Sequence, residues 1–525
     1  MEDPSENNKG IIKRSGVVSI LTLFSRILGL IRDMLMAKYF GRGWEAGAFF
    51  LVWTLPNLFR RLLGEGALSA AFIPIYVKEK EKGKNLLSKV LGALSILLIF
   101  IVLFGFITVF VVPDSVFYLA FSRSGVPVSQ YVGLLKKLFF ILFPYLIPIC
   151  ILGIITGVLQ AERIFWNPGF APVLQNILWI GALLFGGLFY FKKLDNFAVF
   201  IALILLIGGI LQILIQLPPL KRKNLIVKPK FEPKDPDIKE VATYFLPAVF
   251  GLAVYQINVF FDQVIAATLV PEPGANALLY YANRLFQFPL ALISTAASTA
   301  SYPEWSKLFA KKKTNEVRDS FLYGTRRVIF LAIPSAIGIM VISLPLVALL
   351  FVRSSGTFSL NDAKKTSEIL VFLAPALPFV SFSQMATRIF QAGKEFKIPV
   401  KVGFKLVFVN LFLNLLLVWP FGVSGLAIAT TLTAILRSIY LAILLKRIGI
   451  KSIISDILNP LPKFLIASLM MGIIVYTITQ IFKSDIIKIV LSIPLGICIF
   501  FFVCYFIKIK EMDIIKVFVK TKRNS

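Results

Sequence analysis

Apolar runs of about 20 residues, each long enough to cross a bilayer as a helix, recur along the whole chain. Fourteen of them are counted. The first six centre near Leu28, Leu62, Leu98, Leu146, Ile177 and Leu206. Six more centre near Ala253, Leu292, Ile337, Phe379, Leu411 and Ile435, and two further runs near Met470 and Pro494. Lipid offers no partner to an exposed backbone amide, so a span this long must close its hydrogen bonds within itself as a helix. The expected fold class is therefore an all-α polytopic membrane protein of 14 transmembrane helices. Composition agrees. Of 525 residues, 58% are hydrophobic and only 16% charged, where a soluble domain carries about a quarter charged residues. That balance excludes a cytosolic multidomain enzyme, a disordered chain and a disulfide scaffold. Runs one, two, seven and eight contain charges and are the least simple spans.

The formal charge of +29 would suit a nucleic-acid partner, but its placement argues otherwise. With the N-terminus inside, the inner segments hold most of the basic residues: Lys78 to Lys89, Lys221 to Lys239, Lys307 to Arg318, Lys394 to Lys401, Lys446 to Lys463 and the tail from Lys508. The outer loops hold only Lys38, Arg42, Arg123, Lys192, Lys193, Arg353, Lys364, Lys365, Lys483 and Lys488. This is the positive-inside bias. It places both termini in the cytoplasm and predicts no nucleic-acid binding. Histidine is absent, and Cys150, Cys498 and Cys504 all lie in apolar runs, where a cysteine is ordinarily a small buried hydrophobe. No cleavable signal peptide is expected, because Glu2, Asp3 and Glu6 precede the first apolar run.

The chain carries an internal repeat. A shift of 229 positions lays residues 67–74 over 296–303, matching Ala67 with Ala296, Ser69 with Ser298, Ala71 with Ala300 and Pro74 with Pro303. The same shift lays Asp33 over Asp262. Chance likeness between small-residue helices is the competing reading; the shared aspartate favours duplication. Six spans per half is an even number, so the halves insert the same way up and form parallel lobes, an arrangement that places substrate between them. The expected division is an N-lobe over 15–217, a linker over 218–238, a C-lobe over 239–447, two extra helices over 448–508 and a basic tail over 509–525.

Charges inside the spans are the candidate functional residues, since each costs at least about 2.5–3.5 kcal/mol to insert. Arg26, Arg32 and Asp33 lie on helix one, Arg60, Arg61 and Glu65 on helix two, Asp262 on helix seven, Arg284 on helix eight and Arg388 on helix ten. Arg61 and Glu65 are one turn apart and can pair. Isolated membrane arginines usually bridge helices or snorkel to an interface. A set from several helices with too few carboxylates instead suggests an unneutralised cavity for a multivalent anion such as pyrophosphate, whose oxygens the guanidinium fork grips in pairs. A second constellation joins Asp262 to Asn410 and Asn414, one turn apart, and to Thr430. One carboxylate with amide and hydroxyl oxygens suits a small alkali cation; ordinary polar glue between helices is the alternative.

These residues lie in motifs that resemble the MurJ (MviN) lipid II flippase family. The likeness is carried by Ser25-Arg-Ile-Leu-Gly-Leu-Ile-Arg-Asp33, Leu55-Pro-Asn-Leu-Phe-Arg-Arg61, Gly64-Glu-Gly-Ala-Leu-Ser69 and Ala71-Phe-Ile-Pro74. Further along, Asn167-Pro-Gly-Phe-Ala-Pro-Val-Leu-Gln-Asn176, Gln256-Ile-Asn258, Tyr280-Tyr-Ala-Asn-Arg284 and Gly425-Leu-Ala-Ile-Ala-Thr430 agree in the same order. The resemblance implies the multidrug/oligosaccharidyl-lipid/polysaccharide exporter superfamily, with two six-helix lobes and two C-terminal helices grooved for a lipid tail. It implies a flippase in the bacterial cytoplasmic (inner) membrane, working by alternating access on lipid II or a similar anionic polyprenyl-pyrophosphate lipid for cell wall synthesis. It also implies a monomer with no cofactor other than sodium. By this likeness Arg26, Arg32 and Arg284 would hold the pyrophosphate. Arg60, Arg61, Glu65 and Arg388 would bind or gate, and Asp33 would match a helix-one acid. Asp262, Asn410, Asn414, Thr430 and the Leu426 carbonyl would match a sodium site. Gly47 and Gln287 stand where many members carry Asp and Glu, and Asn414 where some carry Asp, so the cavity would be more positive and the sodium site less charged.

Two other exporters compete: one for another polyprenyl-linked oligosaccharide of O-antigen type, and a cation-coupled multidrug exporter, which would favour an acidic cavity. A membrane enzyme would need catalytic groups that are lacking. The one Asp-x-Asp, Asp235-Pro-Asp237, reads as a turn and helix N-cap, not a metal site.

Overall fold

The computed structural model describes residues 4–64, 72–73, 75–77, 83–189, 193–352, 356–451 and 453–513. Every regular element among them is a helix. They form two compact units, residues 1–277 with 354–357, and 278–353 with 358–525.

In the first unit, α1 (Pro4–Phe40) turns at Gly41 into α2 (Trp44–Phe59), which continues as a π turn over Arg60–Gly64. Then come α3 (Gly83–Val111), the short α4 (Asp114–Phe121), and α5 (Val128–Leu142), which bends through Phe143–Tyr145 into α6 (Leu146–Ala161). Next are α7 (Trp166–Phe189), α8 (Leu194–Leu214), the short α9 (Leu217–Arg222) and α10 (Pro236–Thr268). The unit thus takes in α10, which the sequence assigns to the second lobe. The bend at Phe143 follows from Pro144, which lacks the amide a continuous helix needs. Phe49, Trp53, Trp179 and Tyr145 pack ring to ring at centroid distances of 5.1–5.6 Å and join α2 to α7 and the α5–α6 bend. Thr357 lies in this unit too, and its hydroxyl donates to the Ala37 and Lys38 carbonyls at the end of α1.

Beyond a start shared with the first unit, α11 (Ala275–Leu290) runs through a π turn at Ala291–Thr295 into α12 (Ala296–Ala310). The long α13 (Thr314–Val347) follows, then the bent pair α14 (Leu360–Leu373) and α15 (Ala376–Ala392). The stretch α16 (Lys397–Leu444) has 48 helical residues. At a rise of 1.5 Å each it would reach about 72 Å, more than twice a hydrocarbon core of about 30 Å. It is two spans, because Gly422, behind Pro420, takes φ +54 and ψ −134 and breaks the helix. Gly425 then faces the Leu417 carbonyl so closely that any Cβ there would collide with it. The runs expected near Leu411 and Ile435 are therefore the two arms of a tight helical hairpin. The chain ends in α17 (Ile453–Leu458), α18 (Leu461–Ile481) and α19 (Asp485–Phe506).

The two C-terminal helices pack on α13. The buried Phe330 ring meets Phe464 at 5.2 Å and Phe500 at 5.0 Å, and Gly472 leaves room for Ile337. Polar contacts anchor the entry to this pair. Arg318 bonds the Asp456 carboxylate and, through Nε, the Lys451 carbonyl at 3.1 Å; Arg326 Nε donates to the Asp456 carbonyl at 2.9 Å.

The repeat is visible in local geometry. Each half has a π turn after its second helix, over 60–64 and 291–295, and the latter runs directly into the segment 296–303; a third, over 348–352, follows α13. Shifting the first by 229 gives 289–293, within two residues of the second. The counterpart 67–74 lies almost wholly outside the described residues. Eight described helices pass as membrane spans by length and apolarity, and nine with the α14–α15 pair. Those that fall short are α1, α2, α10 and α11–α12, the charged runs of the sequence. Helix two begins at Trp44, well before its expected centre at Leu62, because Glu45 and the aromatic residues behind it are helical too.

The linker is held against α3. Asp235 caps α10, its side chain accepting the Asp237 amide at 3.0 Å, as the turn and N-cap reading expected. Lys89 bonds Asp235 and has Glu232 at 3.6 Å and Asp237 at 3.8 Å. The Lys89 hydrogen bond, aided by the Asp237 amide, lowers the Asp235 pKa below its ordinary 3.8.

Two outcomes follow. Gly422→Ala places a Cβ on a left-handed residue and is expected to cost about 1–2 kcal/mol, and Gly425→Ala more, each lowering the thermal unfolding midpoint in detergent. For the Asp235 clasp the sign is that of a depressed acid. It is at full strength above pH 3.8 and fades as pH falls through the lowered value. Limited proteolysis scanned from about pH 6 to about pH 3 is expected to cut 224–235 only at the acidic end.

Candidate functional site

The site builds outward from Arg32. Helices α1 and α7 pack along their length, and the Ser25–Asp33 motif meets the C-terminal part of the Asn167–Asn176 motif. Arg32 Nε and Nη2 both donate to Asp33 Oδ1, at 3.0 and 2.8 Å. Nη1 donates to Asn176 Oδ1 at 3.0 Å. The Asn176 amide in turn donates to the Ser25 carbonyl at 3.0 Å and the Ser25 hydroxyl at 3.2 Å. The Trp179 ring lies under the guanidinium, 4.4 Å from Cζ. Side-chain exposure is 11% for Arg32 and zero for Asp33.

One arginine of the candidate set, Arg32, thus carries its own carboxylate partner, Asp33. A guanidinium this deep must recover its lost hydration, and a buried charge is tolerable only when paired and hydrogen-bonded. Neighbours on a helix do not ordinarily face each other, but an arginine is long enough to fold back onto the next residue's carboxylate. What results is a cation fixed in direction by a carboxylate, an amide and a ring.

The other expected residues are placed as follows. Arg26 is exposed on α1. Arg60 and Arg61 are half-buried on the π turn, and the Glu65 expected to pair with Arg61 lies outside the described residues. Asp262 is half-buried on α10, in the first unit. In the second unit, Arg284 and Gln287 are half-buried, one turn apart on α11. Arg388 is exposed on α15, donating to Gln391 Oε1 at 3.1 Å with Cζ 6.0 Å from the Tyr302 ring.

Asn410 and Asn414 are buried and joined, Asn414 Nδ2 donating to Asn410 Oδ1 at 3.2 Å. Asn410 Nδ2 donates to Thr433 Oγ1, also at 3.2 Å. The expected shared face is real, and the hydroxyl it reaches is Thr433, one turn beyond Thr430. Leu426 is buried and Thr430 half-buried. Amide and hydroxyl oxygens fit a hard monovalent cation, but the polar chain here also satisfies itself as interhelical glue. Among the described residues, no group of three or more His, Cys, Asp or Glu is arranged to hold a metal.

Asn176, Trp179, Ser25 and Thr433 were not expected in these roles. Asn176 had a visible signal, an amide in an otherwise apolar span. Trp179 had none, because an aromatic residue in a membrane helix is unremarkable until its neighbour is known.

The chain is a multi-pass helical membrane protein in which a buried arginine is fixed between two helices. It superposes on an inward-facing multidrug resistance MATE family transporter of the MOP superfamily with TM-score 0.66 at 19% identity, covering 82% of this chain and 96% of that one. The chain belongs to the MurJ family: the family model described as lipid II flippase MurJ matches residues 36–495. It is 32% identical over 439 residues to the probable lipid II flippase MurJ of Vibrio cholerae, covering 82% of each chain. It also superposes on a lipid II flippase MurJ in an inward closed conformation with TM-score 0.76 at 26% identity, covering 94% of this chain and 98% of that one.

The Arg32 site sets an order of effects. Asp33→Ala strands a buried guanidinium and is expected to cost about 3–5 kcal/mol. Asn176→Ala removes one acceptor from a charged donor and is expected to cost about 1.5–3 kcal/mol. Trp179→Leu is expected to cost about 1–2 kcal/mol through the lost ring contact. Unfolding of the three purified variants in detergent checks the ranking.

Proposed function

We propose that this chain moves lipid II, the lipid-linked peptidoglycan precursor, from the inner to the outer leaflet of the bacterial cytoplasmic membrane. The carrying observation is the family match over 36–495; just ahead of it, the helix-one motif that resembles the family has its Arg32 side chain held by Asp33, Asn176 and Trp179. The likeness of the cavity arginines supports Arg26, Arg32 and Arg284 as the ligands of the pyrophosphate. Arg60, Arg61 and Arg388 would add binding or gating contacts, with Glu65 and Gln287 as polar positions beside them. A guanidinium held rigidly presents its N–H groups without paying to order them on binding. Transport makes and breaks no covalent bond. It needs only two states that differ in which leaflet reaches the site, and the two six-helix lobes of the repeat would supply them. The groove of α18 and α19 would take the polyprenyl tail.

The basic excess of the inner segments supports both termini in the cytoplasm. Asp262, Asn410, Asn414, Thr430 and the Leu426 carbonyl would hold sodium, which would supply an ion gradient. The chain would work as a monomer. A cation-coupled multidrug exporter would need an acidic cavity, and the spans here carry six arginines in the candidate set against Asp33, Glu65 and Asp262.

The test is complementation of a strain depleted of its own lipid II flippase. Arg284→Ala is expected to insert at wild-type levels and fail to support growth, and Arg32→Lys, which keeps a cation beside the buried Asp33 but loses the guanidinium fork, is expected to do the same. Full growth with either removes that arginine from the pyrophosphate site. For the ion, added sodium is expected to raise the unfolding temperature of the wild type and to lose that effect in Asp262→Asn; an equal shift in both proteins rejects the sodium assignment.

A further inference from the structure

The segment between α8 and α10 carries Lys221, Arg222, Lys223, Lys228, Lys230, Lys234 and Lys239, and all seven are exposed. It also carries Glu232, Asp235 and Asp237, and these do not share the cations' surface evenly. All three lie within 3.8 Å of one lysine of α3, Lys89, which is only 9% exposed; Asp235 bonds it, while Glu232 stays 48% exposed. The backbone is fastened to the same helix. Lys230 donates its amide to the Ser88 carbonyl at 3.0 Å, the Ser88 hydroxyl donates to the Lys228 carbonyl, and Gly92 leaves no room for a Cβ beside the Lys230 carbonyl. With Asp235 and Asp237 drawn to Lys89 and the chain tied down, the outward face carries seven exposed cations against the exposed Glu232 and Glu240 and is left positive. Ile226 and Phe231 stand exposed among the cations, at 49% and 53%.

Depth fixes what this face meets. Helix α3 has 29 residues, about 43 Å at 1.5 Å per residue, against a hydrocarbon core of about 30 Å. Its polar first turns end at Lys89, where the uncharged apolar run begins at Val90, so Ser88 and Lys89, which hold the segment, stand at the headgroup boundary. Both ends of the segment run directly into helices of the bundle.

We propose that residues 221–239 form a docking surface for anionic phospholipid headgroups, with the cations on phosphates and Ile226 and Phe231 in the boundary below them. Lys89 is the residue that makes the surface: by drawing Asp235 and Asp237 to itself it keeps these two acids from neutralising their neighbours. Orientation alone would require only that the cations be present. Their separation from the acids is the additional feature, and it is what a lipid-binding face requires. In the orientation proposed above, the lipid would be that of the cytoplasmic leaflet.

The test uses the full-length protein reconstituted in vesicles of phosphatidylcholine, with and without phosphatidylglycerol. Acetylation of each lysine is read by mass spectrometry. Vesicles symmetric in lipid make the result independent of which way the protein faces and of whether it flips lipid II. The expected result is at least about fivefold slower acetylation of Lys221, Lys223, Lys228, Lys230 and Lys234 in the anionic vesicles. Molar salt is expected to erase the difference. Exposed lysines of another loop, Lys364 and Lys483, serve as the reference for surface potential alone. Lys221→Gln/Lys223→Gln, altered only at exposed positions, is expected to shrink the protection of the remaining lysines. Equal acetylation in both membranes, or protection no greater than that of Lys364 and Lys483, overturns the proposal and returns these cations to a signal of topology.

Discussion

A charge has no place in hydrocarbon unless the protein supplies what water would have given it, and the Arg32–Asp33 pair shows how this chain does so. Asp33 is sealed from solvent, and Arg32 spends two donors on it and a third on Asn176. The Trp179 ring covers the guanidinium face. Removing either ion would leave the other with its full burial cost, so the pair persists or fails together. Its partners come from both α1 and α7, so the pair also fixes how these two helices meet. The expected pyrophosphate ligand is thus first a structural cross-brace. The two roles are compatible: a cation whose direction is already set costs less to bind than one that must be ordered.

The same constraint explains where the helices depart from regularity. A break in a span frees backbone groups that lipid cannot satisfy, so breaks fall where the chain can repair them. The π turns at 60–64 and 291–295 keep backbone bonds in a longer register. Gly422 reverses the chain at a hairpin tip, with Pro420 and exposed Phe421 beside it. The π turns over 60–64 and 291–295 stand at nearly the repeat offset and agree with the four matched residues in eight, while the π turn over 348–352 belongs to the second half alone. That agreement ties the duplication to geometry as well as to composition.

Most of the fold was legible because hydropathy reports the solvent, and lipid permits little besides a helix. Even the hairpin of α16 was countable, since the two runs near Leu411 and Ile435 together exceed any membrane. The site was less legible. Asn410 and Asn414 could be placed on one face by their spacing, and they are bonded to each other. Thr433 could not be preferred over Thr430, because both follow the Gly425 turn and only the packing of the two arms decides between them. The Arg32–Asp33 pair was not legible because helical spacing rules describe Cβ directions, and a long side chain can curl back past them. Asn176 and Trp179 belong to a helix separated from α1 by most of a unit, so no periodicity within either helix could pair them.

Charge in this chain is better understood by compartment than by its total of +29. In the spans, cations are few, and the best defined, Arg32, is held by an acid, an amide and a ring. Among the segments between spans they are many, and the linker shows the opposite arrangement: three acids serve one buried lysine, and seven cations face outward. Each arrangement follows from the local dielectric. In hydrocarbon an unpaired charge is costly, so pairing is required and the field is short-ranged. At the headgroup boundary water lowers that cost, and pairing the acids elsewhere leaves a field that extends about a Debye length outward. Positive charge thus serves as an internal brace at one depth and as a source of surface potential at another, and the carboxylates, by where they are placed, decide which.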